Sequence, residues 1–200
     1  MEARTARSEL TRTAIVGAGM ALASEQGLEA ITLQAVADRI GLSKSGVFSR
    51  IGSREALQKA VIEEFGRQFL ADVFVPAMEK PKGLPRLDDI MARWIERTRT
   101  TEASTGCIYS AGAFELDDRE GPLRDHLHGE VTRWRAALRR TVLQCIEQGH
   151  LRAGTDPEQL VAEIYGLILA LLHDTRFLRD PRAAERAQAA WQRLRASYLA

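Results

Sequence analysis

Apolar residues recur along this chain at steps of three and four from end to end, and no stretch alternates apolar with polar as a strand would. The pattern predicts an all-α chain of about nine helices. The first opens at Ser8 or Thr11 and runs to about Gln26, with Ile15, Ala18, Leu22 and Ala23 inward and Gly27 as its stop. The second carries Leu33, Val36, Ala37 and Ile40 on one face behind Thr32 as N-cap, and Gly41 ends it. Leu42 then points inward, Ser43 caps a third helix over Lys44 to about Arg50, and Ser53 caps a fourth. That fourth helix runs from Arg54 to about Ala77 on Leu57, Val61, Ile62, Phe65, Phe69, Val73 and Phe74, until Pro76, Pro81, Gly83 and Pro85 break the chain.

A fifth helix, about Arg86 to Thr101, buries Leu87, Ile90, Met91, Trp94 and Ile95. Turn-forming residues fill Thr100 to Gly106, a short helix spans Cys107 to Leu116, and the charged run Asp117 to Gly121 separates it from the next. Pro122 suits a helix start, and Leu123, Leu127, Val131, Trp134, Leu138, Val142 and Cys145 carry that helix to about Gln148. Asp156-Pro157 and Asp180-Pro181 are each read as a cap plus first-turn proline opening the last two helices.

Chemistry concentrates between Thr32 and Leu57. Two short helices joined by a glycine turn have the geometry of a helix-turn-helix, whose second helix enters the DNA major groove. With Val47, Phe48 and Ile51 assigned to its apolar side, that helix presents Lys44, Ser45, Gly46, Ser49 and Arg50. No acidic residue occurs from Ser43 to Arg54. A helix N-terminus adds backbone N–H donors suited to phosphate. Lys44, Ser45, Ser49 and Arg50 are the candidates for base contacts, and Thr32, Ser43 and Arg54 for contacts to the DNA backbone.

The segment Leu42-Ser-Lys-Ser-Gly-Val-Phe-Ser-Arg-Ile-Gly-Ser-Arg-Glu-Ala-Leu57 resembles the DNA-binding motif of TetR-family transcriptional regulators, V-S-K-G-T-L-Y-x-x-F-K-S-K-E-x-L. The close match covers Thr32 to Leu57, with a looser one back to Arg12. Phe48 stands where the family has a tyrosine that meets a phosphate, Ile51 replaces a phenylalanine and Gly52 a lysine. The resemblance implies a helix-turn-helix DNA-binding domain over 1–57 and a helical effector-binding and dimerisation domain over 58–200. It also implies a repressor that binds an inverted-repeat operator as a homodimer and is released by a small molecule. Gly106 to Tyr109 and Glu115 to Leu127 resemble one subset of the family, without naming an effector.

Composition changes this little. The chain has 200 residues, 45% hydrophobic and 28% charged, with a formal net charge of +1, so a DNA partner rests on local charge in the motif. Cys107 and Cys145 fit no disulfide framework or zinc spacing and are read as inert thiols. His126 and His128, two apart on a helix, face different sides, so no metal and no cofactor is expected. No signal peptide is expected before Ile15, and Leu160 to Leu172 is too short to span a bilayer, so the expected location is cytoplasmic with no membrane partner.

Candidates for an effector pocket are Phe69, Met91, Trp94, Cys107, Tyr109, Phe114, Trp134, Tyr165 and His173, with Tyr109, Tyr165 and His173 as its polar groups. The penultimate helix is apolar nearly all round, which means either cover from a second chain or a place at the centre of its own domain. For a homodimer the interface candidates are Ile164, Ile168, Leu171, Leu172, Ala187, Trp191, Leu194 and Tyr198. Two rival readings are a non-specific or architectural DNA binder and an enzyme in the helical second half. The low net charge speaks against the first, and the lack of any nucleophile–base, phosphate-loop or metal motif against the second.

Overall fold

The computed structural model describes residues 2–200, with side-chain surroundings from residue 9 onward. Residues 1–7, with Arg4 and Arg7, read from the sequence as a frayed basic arm, and their side chains lie outside those described. Nine helices make up the described chain, joined by turns, and the β pairing among the described residues is one isolated bridge between Leu151 and Leu199. The helices fall into two compact units: the chain up to Arg67 with Ile108–Glu130, and Gln68–Cys107 with Val131–Ala200. This division by packing differs from one drawn at residue 57, because the segment Ile108–Glu130 joins the first unit.

The first unit opens with α1 (Glu2–Gln26), which begins earlier than Ser8 or Thr11. Gly27 at φ 90° and a 3₁₀ turn over Leu28–Ala30 lead to α2 (Leu33–Ile40) and α3 (Lys44–Ile51). Caps define both short helices. Thr32 Oγ1 accepts from the Ala35 N–H at 3.0 Å, and Ser43 Oγ from the Gly46 N–H at 3.1 Å. Gly41 at φ 67° sits in the left-handed region that favours glycine, and the Leu42 N–H closes back on the Ala37 carbonyl at 3.0 Å. Ser53 Oγ caps the Ala56 N–H at 3.0 Å, opening the long helix α4 (Arg54–Phe69).

Ile15, Leu28, Ile31, Val36, Val47, Leu57 and Val61 form the buried centre of this unit. At Gly19, a Cβ would lie 2.7 Å from Val61 Cγ2, so α1 and α4 approach closely there. Leu42 and Phe48 depart from their expected inward places. Leu42 lies at the exposed end of the turn, and Phe48 is 58% exposed on the outer face of α3. The other elements of the unit are α6 (Ile108–Glu115) and the start of α7 (Pro122–Glu147).

The second unit begins where α4 passes through a π turn, Leu70–Phe74, into Val75–Ala77. Next, α5 (Leu84–Arg97) runs through a second π turn, Thr98–Glu102, into Ala103–Thr105, so the stretch read as turn-rich is helical almost to Gly106. The rest of α7, then α8 (Pro157–Arg176) and α9 (Ala183–Tyr198), complete it. Asp156 caps α8 through the Glu158 N–H at 2.9 Å. Asp180 does not cap α9. It accepts from the Arg182 N–H at 2.9 Å inside a turn, and the helix starts only at Ala183.

Leu160, Ile164, Ile168 and Leu171 of α8 are buried, as are Leu87, Ile90 and Met91 of α5. α9 is fastened to α5 by Trp191 Nε1, which donates to Asp88 Oδ1 at 3.0 Å, and by the Arg195–Asp88 ion pair. No helix of the described residues is long and apolar enough to cross a membrane.

Candidate nucleic-acid interface and effector region

In the first unit, α3 carries its buried side on Val47 and Ile51 and leaves Lys44, Ser45, Phe48, Ser49 and Arg50 exposed. The four candidates for base contacts therefore share one open face. Their polar groups are held only by short local bonds. Ser45 Oγ lies 3.1 Å from Ser43 Oγ, Ser49 Oγ donates to the Gly46 carbonyl at 3.0 Å, and Arg50 Nη1 donates to the same carbonyl at 2.9 Å. A base edge can replace such exposed bonds at little net cost, because each is exchanged for another hydrogen bond. The far end of α3 is completed from α1, where Arg12 Nη1 donates to the Arg50 carbonyl at 3.4 Å.

Thr32 and Ser43 stand at the starts of α2 and α3, with their hydroxyl oxygens already accepting cap bonds. Arg54 is placed differently from expectation. Its Nε donates to the Ile31 carbonyl at 2.9 Å, a second nitrogen reaches the Glu29 carbonyl, and the Glu29 carboxylate lies 3.7 Å away. The guanidinium is held in the protein because the carbonyls of the turn before α2 have no helical partner of their own. Arg39 is likewise engaged, in a two-bond pair with Glu25 that lowers the Glu25 carboxyl from its ordinary range.

Phe48 is the residue of this face that the apolar period misassigned. An exposed aromatic beside Ser49 can pack against a thymine methyl or a sugar. The signal for it was available, since it occupies the motif position where the family has an outward tyrosine.

The pocket candidates separate. Tyr109 and Phe114 belong to the first unit: Tyr109 is buried on Phe65 at 4.9 Å between ring centres, while Phe114 is 68% exposed. Phe69, Met91, Trp94, Cys107, Trp134 and Tyr165 belong to the second. Four of these, with Phe74, form a cluster of edge-to-face rings. Trp94 and Trp134 are 5.3 Å apart, Phe69 lies 5.3 Å and 4.8 Å from them, Phe74 5.7 Å from Trp134 and Tyr165 5.5 Å from Trp94. The Arg135 guanidinium covers the Tyr165 ring at 4.6 Å, and that of Arg97 faces Phe69 at 5.8 Å. The indole N–H groups of Trp94 and Trp134 are buried without a hydrogen-bond partner. His173, by contrast, is an exposed neighbour of Asp174 and Phe177.

Beside this cluster a buried ion network links the two π turns. Arg97 Nε lies 3.2 Å from Glu102 Oε1, Thr98 Oγ1 donates to Glu102 Oε2 at 3.1 Å, and Arg97 also pairs with Asp72. Arg97 and Glu102 are both buried, and desolvation raises the Glu102 carboxyl above its ordinary range even though Arg97 opposes the shift. Asp72 and Arg97 also line an open cleft of about 540 Å³ with Asp89, Ala92, Arg93, Glu96, Thr100 and Thr101, which contains none of the expected pocket residues.

The interface candidates are corrected by burial. Ile164, Ile168, Leu171, Leu172, Ala187 and Trp191 are buried within this chain, and Tyr198 donates its hydroxyl to Glu163 at 2.8 Å. α8 is apolar nearly all round because α9 and the segment 98–105 of its own unit pack along it, with Trp94 and Arg135 against Tyr165, so these side chains are not a free surface. Leu194 is half-buried. The exposed residues of α8 are Glu158, Gln159, Ala162, Gly166, Ala170, His173 and Arg176, with Phe177 just beyond at 77% exposure.

With this geometry in place, the comparisons with known proteins are decisive. The family model for bacterial regulatory proteins of the tetR family matches residues 15–61, and that for the tetracyclin repressor-like C-terminal domain matches residues 83–191. The chain belongs to the TetR family. It is a DNA-binding transcriptional regulator and not an enzyme. Among curated proteins none matches it in sequence.

Solved structures of transcriptional regulators share the fold over nearly the whole chain. A regulator from Chloroflexus aurantiacus superposes with a TM-score of 0.82 at 20% identity, covering 97% of this chain and 99% of the other. One from Cytophaga hutchinsonii gives 0.80 at 15% identity over 96% of each chain. The ketosteroid transcriptional regulator KstR2 of Mycobacterium tuberculosis gives 0.70 at 18% identity over 95% of each. Within this TetR-family regulator, the tetR-family match spans α2 and α3, and the C-terminal match spans the aromatic cluster from Trp94 to Tyr165.

Proposed function

We propose that this TetR-family chain is a repressor that binds an inverted-repeat operator as a homodimer and leaves it when a small molecule binds. Residues 1–57 serve as the DNA-binding domain and 58–200 as the effector and dimerisation domain. The observation that carries the reading is the outer face of α3, where Lys44, Ser45, Ser49 and Arg50 stand exposed together with no acid among them. Two copies of such a face read half-sites about 34 Å, or a multiple of that, apart. Lys44 and Arg50 suit guanine O6 and N7, the serines reach either partner of a pair, and the Thr32 and Ser43 helix starts suit phosphate.

Dimerisation uses the outer faces of α8 and α9, where the small residues Ala162, Gly166 and Ala170 let another helix approach. Nothing lies within 4 Å of a Cβ built on Gly166. For the effector, the cluster around Trp94 and Trp134 favours an apolar molecule bearing a hydrogen-bond-accepting oxygen. Two buried indole donors without a partner each cost on the order of 1–3 kcal/mol, and an acceptor placed between them recovers this. Release requires that the effector bind the non-operator conformation more tightly than the operator-bound one.

Selection of bound sites from random duplexes tests the reading. Enrichment of an inverted repeat supports it. Uniform recovery of all sequences would instead make the chain a non-specific, architectural DNA binder.

A further inference from the structure

The turn between α1 and α2 is held almost entirely by side chains from elsewhere in the first unit. The Leu28 N–H donates to Glu115 Oε2 at 2.8 Å and the Glu29 N–H to Glu115 Oε1 at 2.7 Å, so one carboxylate takes both free amides. Gln58 Nε2 donates to the Leu28 carbonyl at 2.9 Å, and Arg54 serves the carbonyls of Glu29 and Ile31. The Glu29 side chain pairs with Arg119 at 3.0 Å.

The packing is cut to fit this bond. A Cβ on Gly27, which has φ 90°, would lie 2.8 Å from Glu115 Oε2, so glycine leaves the carboxylate its place. A Cβ on Gly112, one turn before Glu115 on α6, would lie 2.6 Å from Leu28 Cδ1 and 3.0 Å from Leu127 Cδ2. Leu28 itself is 2% exposed. The turn ends at Ile31, directly before the Thr32 cap that starts α2, and α2 in turn supports α3.

We propose that Glu115 is the positioning residue through which the segment Ile108–Glu130 sets the pose of α2 and α3 on DNA. Without that carboxylate the Leu28 and Glu29 amides lose their acceptor, the turn loosens and operator affinity falls. This rests on the reading of the chain as a sequence-specific regulator. A carboxylate is required, because an amide in its place offers one acceptor and points a donor at the second N–H.

The test compares full-length wild type, Glu115→Gln, Glu115→Asp and Arg119→Ala without any effector. Fluorescence anisotropy reads binding to the selected operator and to sheared genomic DNA, and hydrogen exchange reads the amides of residues 28–31. Glu115→Gln is expected to weaken operator binding about tenfold or more, from at least one buried donor left unpaired, while genomic binding changes less than about twofold. Its Leu28 and Glu29 amides exchange faster. Glu115→Asp, which keeps the charge on a shorter stem, recovers part of the affinity, and Arg119→Ala, which removes only the exposed pair, leaves it within about twofold.

Operator binding by Glu115→Gln within about twofold of wild type overturns the proposal. So does an equal loss on both DNAs, which marks general unfolding. Should Glu115→Gln fail to fold, Glu115→Asp decides: a loss on the operator larger than on genomic DNA, with faster exchange of the Leu28 and Glu29 amides, supports the proposal, and operator binding within about twofold of wild type with unchanged exchange overturns it. A wild type that selects no operator brings down the underlying reading instead, and the two failures are thereby distinct.

Discussion

Replacing Arg97 by methionine probes the ion network at the junction of the two π turns. Methionine keeps most of the aliphatic stem but leaves Glu102, which is 0% exposed, without the guanidinium 3.2 Å away. Breaking a buried pair from one side costs about 3–5 kcal/mol, since the remaining charge stays desolvated. The partner on the other side, Asp72, is 57% exposed and adds less than about 1 kcal/mol. The cost is also pH-dependent. Burial raises the Glu102 carboxyl above its ordinary 4.5 in the folded chain, and removal of Arg97 raises it further. The native state then holds the proton to higher pH than the unfolded state. The penalty of burying the charge is therefore absent below about 4.5 and grows as pH rises through the folded value.

Urea unfolding at equal protomer concentration, followed by tryptophan fluorescence, measures this directly. Trp94, Trp134 and Trp191 all lie in the second unit, so the signal reports the unit that holds the network. The expected result is a loss of about 3–5 kcal/mol at pH 7 that shrinks toward pH 5. The double variant Arg97→Met with Glu102→Leu is expected within about 1–2 kcal/mol of wild type, because no buried charge is left unpaired and Asp72 stays exposed to solvent. A loss below about 1 kcal/mol at pH 7, or a double variant no better than the single one, would refute the reasoning.

Gly66→Ala places a methyl group against the Tyr109 hydroxyl, which donates to Glu130 at 3.3 Å, so overpacking of about 1–3 kcal/mol is expected in thermal melts. Tyr109→Phe in that background recovers part of the loss, and strict additivity would speak against the contact. Arg50→Ala should cost about 1–3 kcal/mol at one operator position and relax specificity there, whereas a uniform loss across sequences would mean a phosphate contact. Ala170→Glu puts a charge on the outward face of α8 and should convert the proposed dimer to monomer in sedimentation, with operator binding lost alongside. An unchanged dimer would place the interface elsewhere.

The helical period located all nine helices because each buries a stripe, and the side-chain caps Thr32, Ser43, Ser53 and Asp156 mark true starts. Where the reading went astray, the physics lay outside a periodic pattern. The π turns at Leu70–Phe74 and Thr98–Glu102 each insert a residue into a helix without changing the apolar sequence around it. The Asp180-Pro181 pair repeats the letters of a helix start but closes a turn instead. An all-round apolar helix such as α8 looks the same whether its cover comes from its own chain or another, and burial assigned Ile164, Ile168 and Leu171 to the former. Glu115 lay at the edge of a charged run with nothing to separate it from its neighbours. Its role comes from chain segments more than eighty positions apart meeting in one unit.

The central claim is that two α3 faces, held at a fixed separation, read two half-sites on one side of a duplex. The most direct measurement takes the selected half-site in inverted pairs and varies the distance between their centres one base pair at a time. Affinity is expected to peak where the centres lie a whole number of turns apart, about 10 base pairs or a multiple, and to fall at least about tenfold half a turn away. Affinity indifferent to spacing would contradict a rigid pair of reading heads.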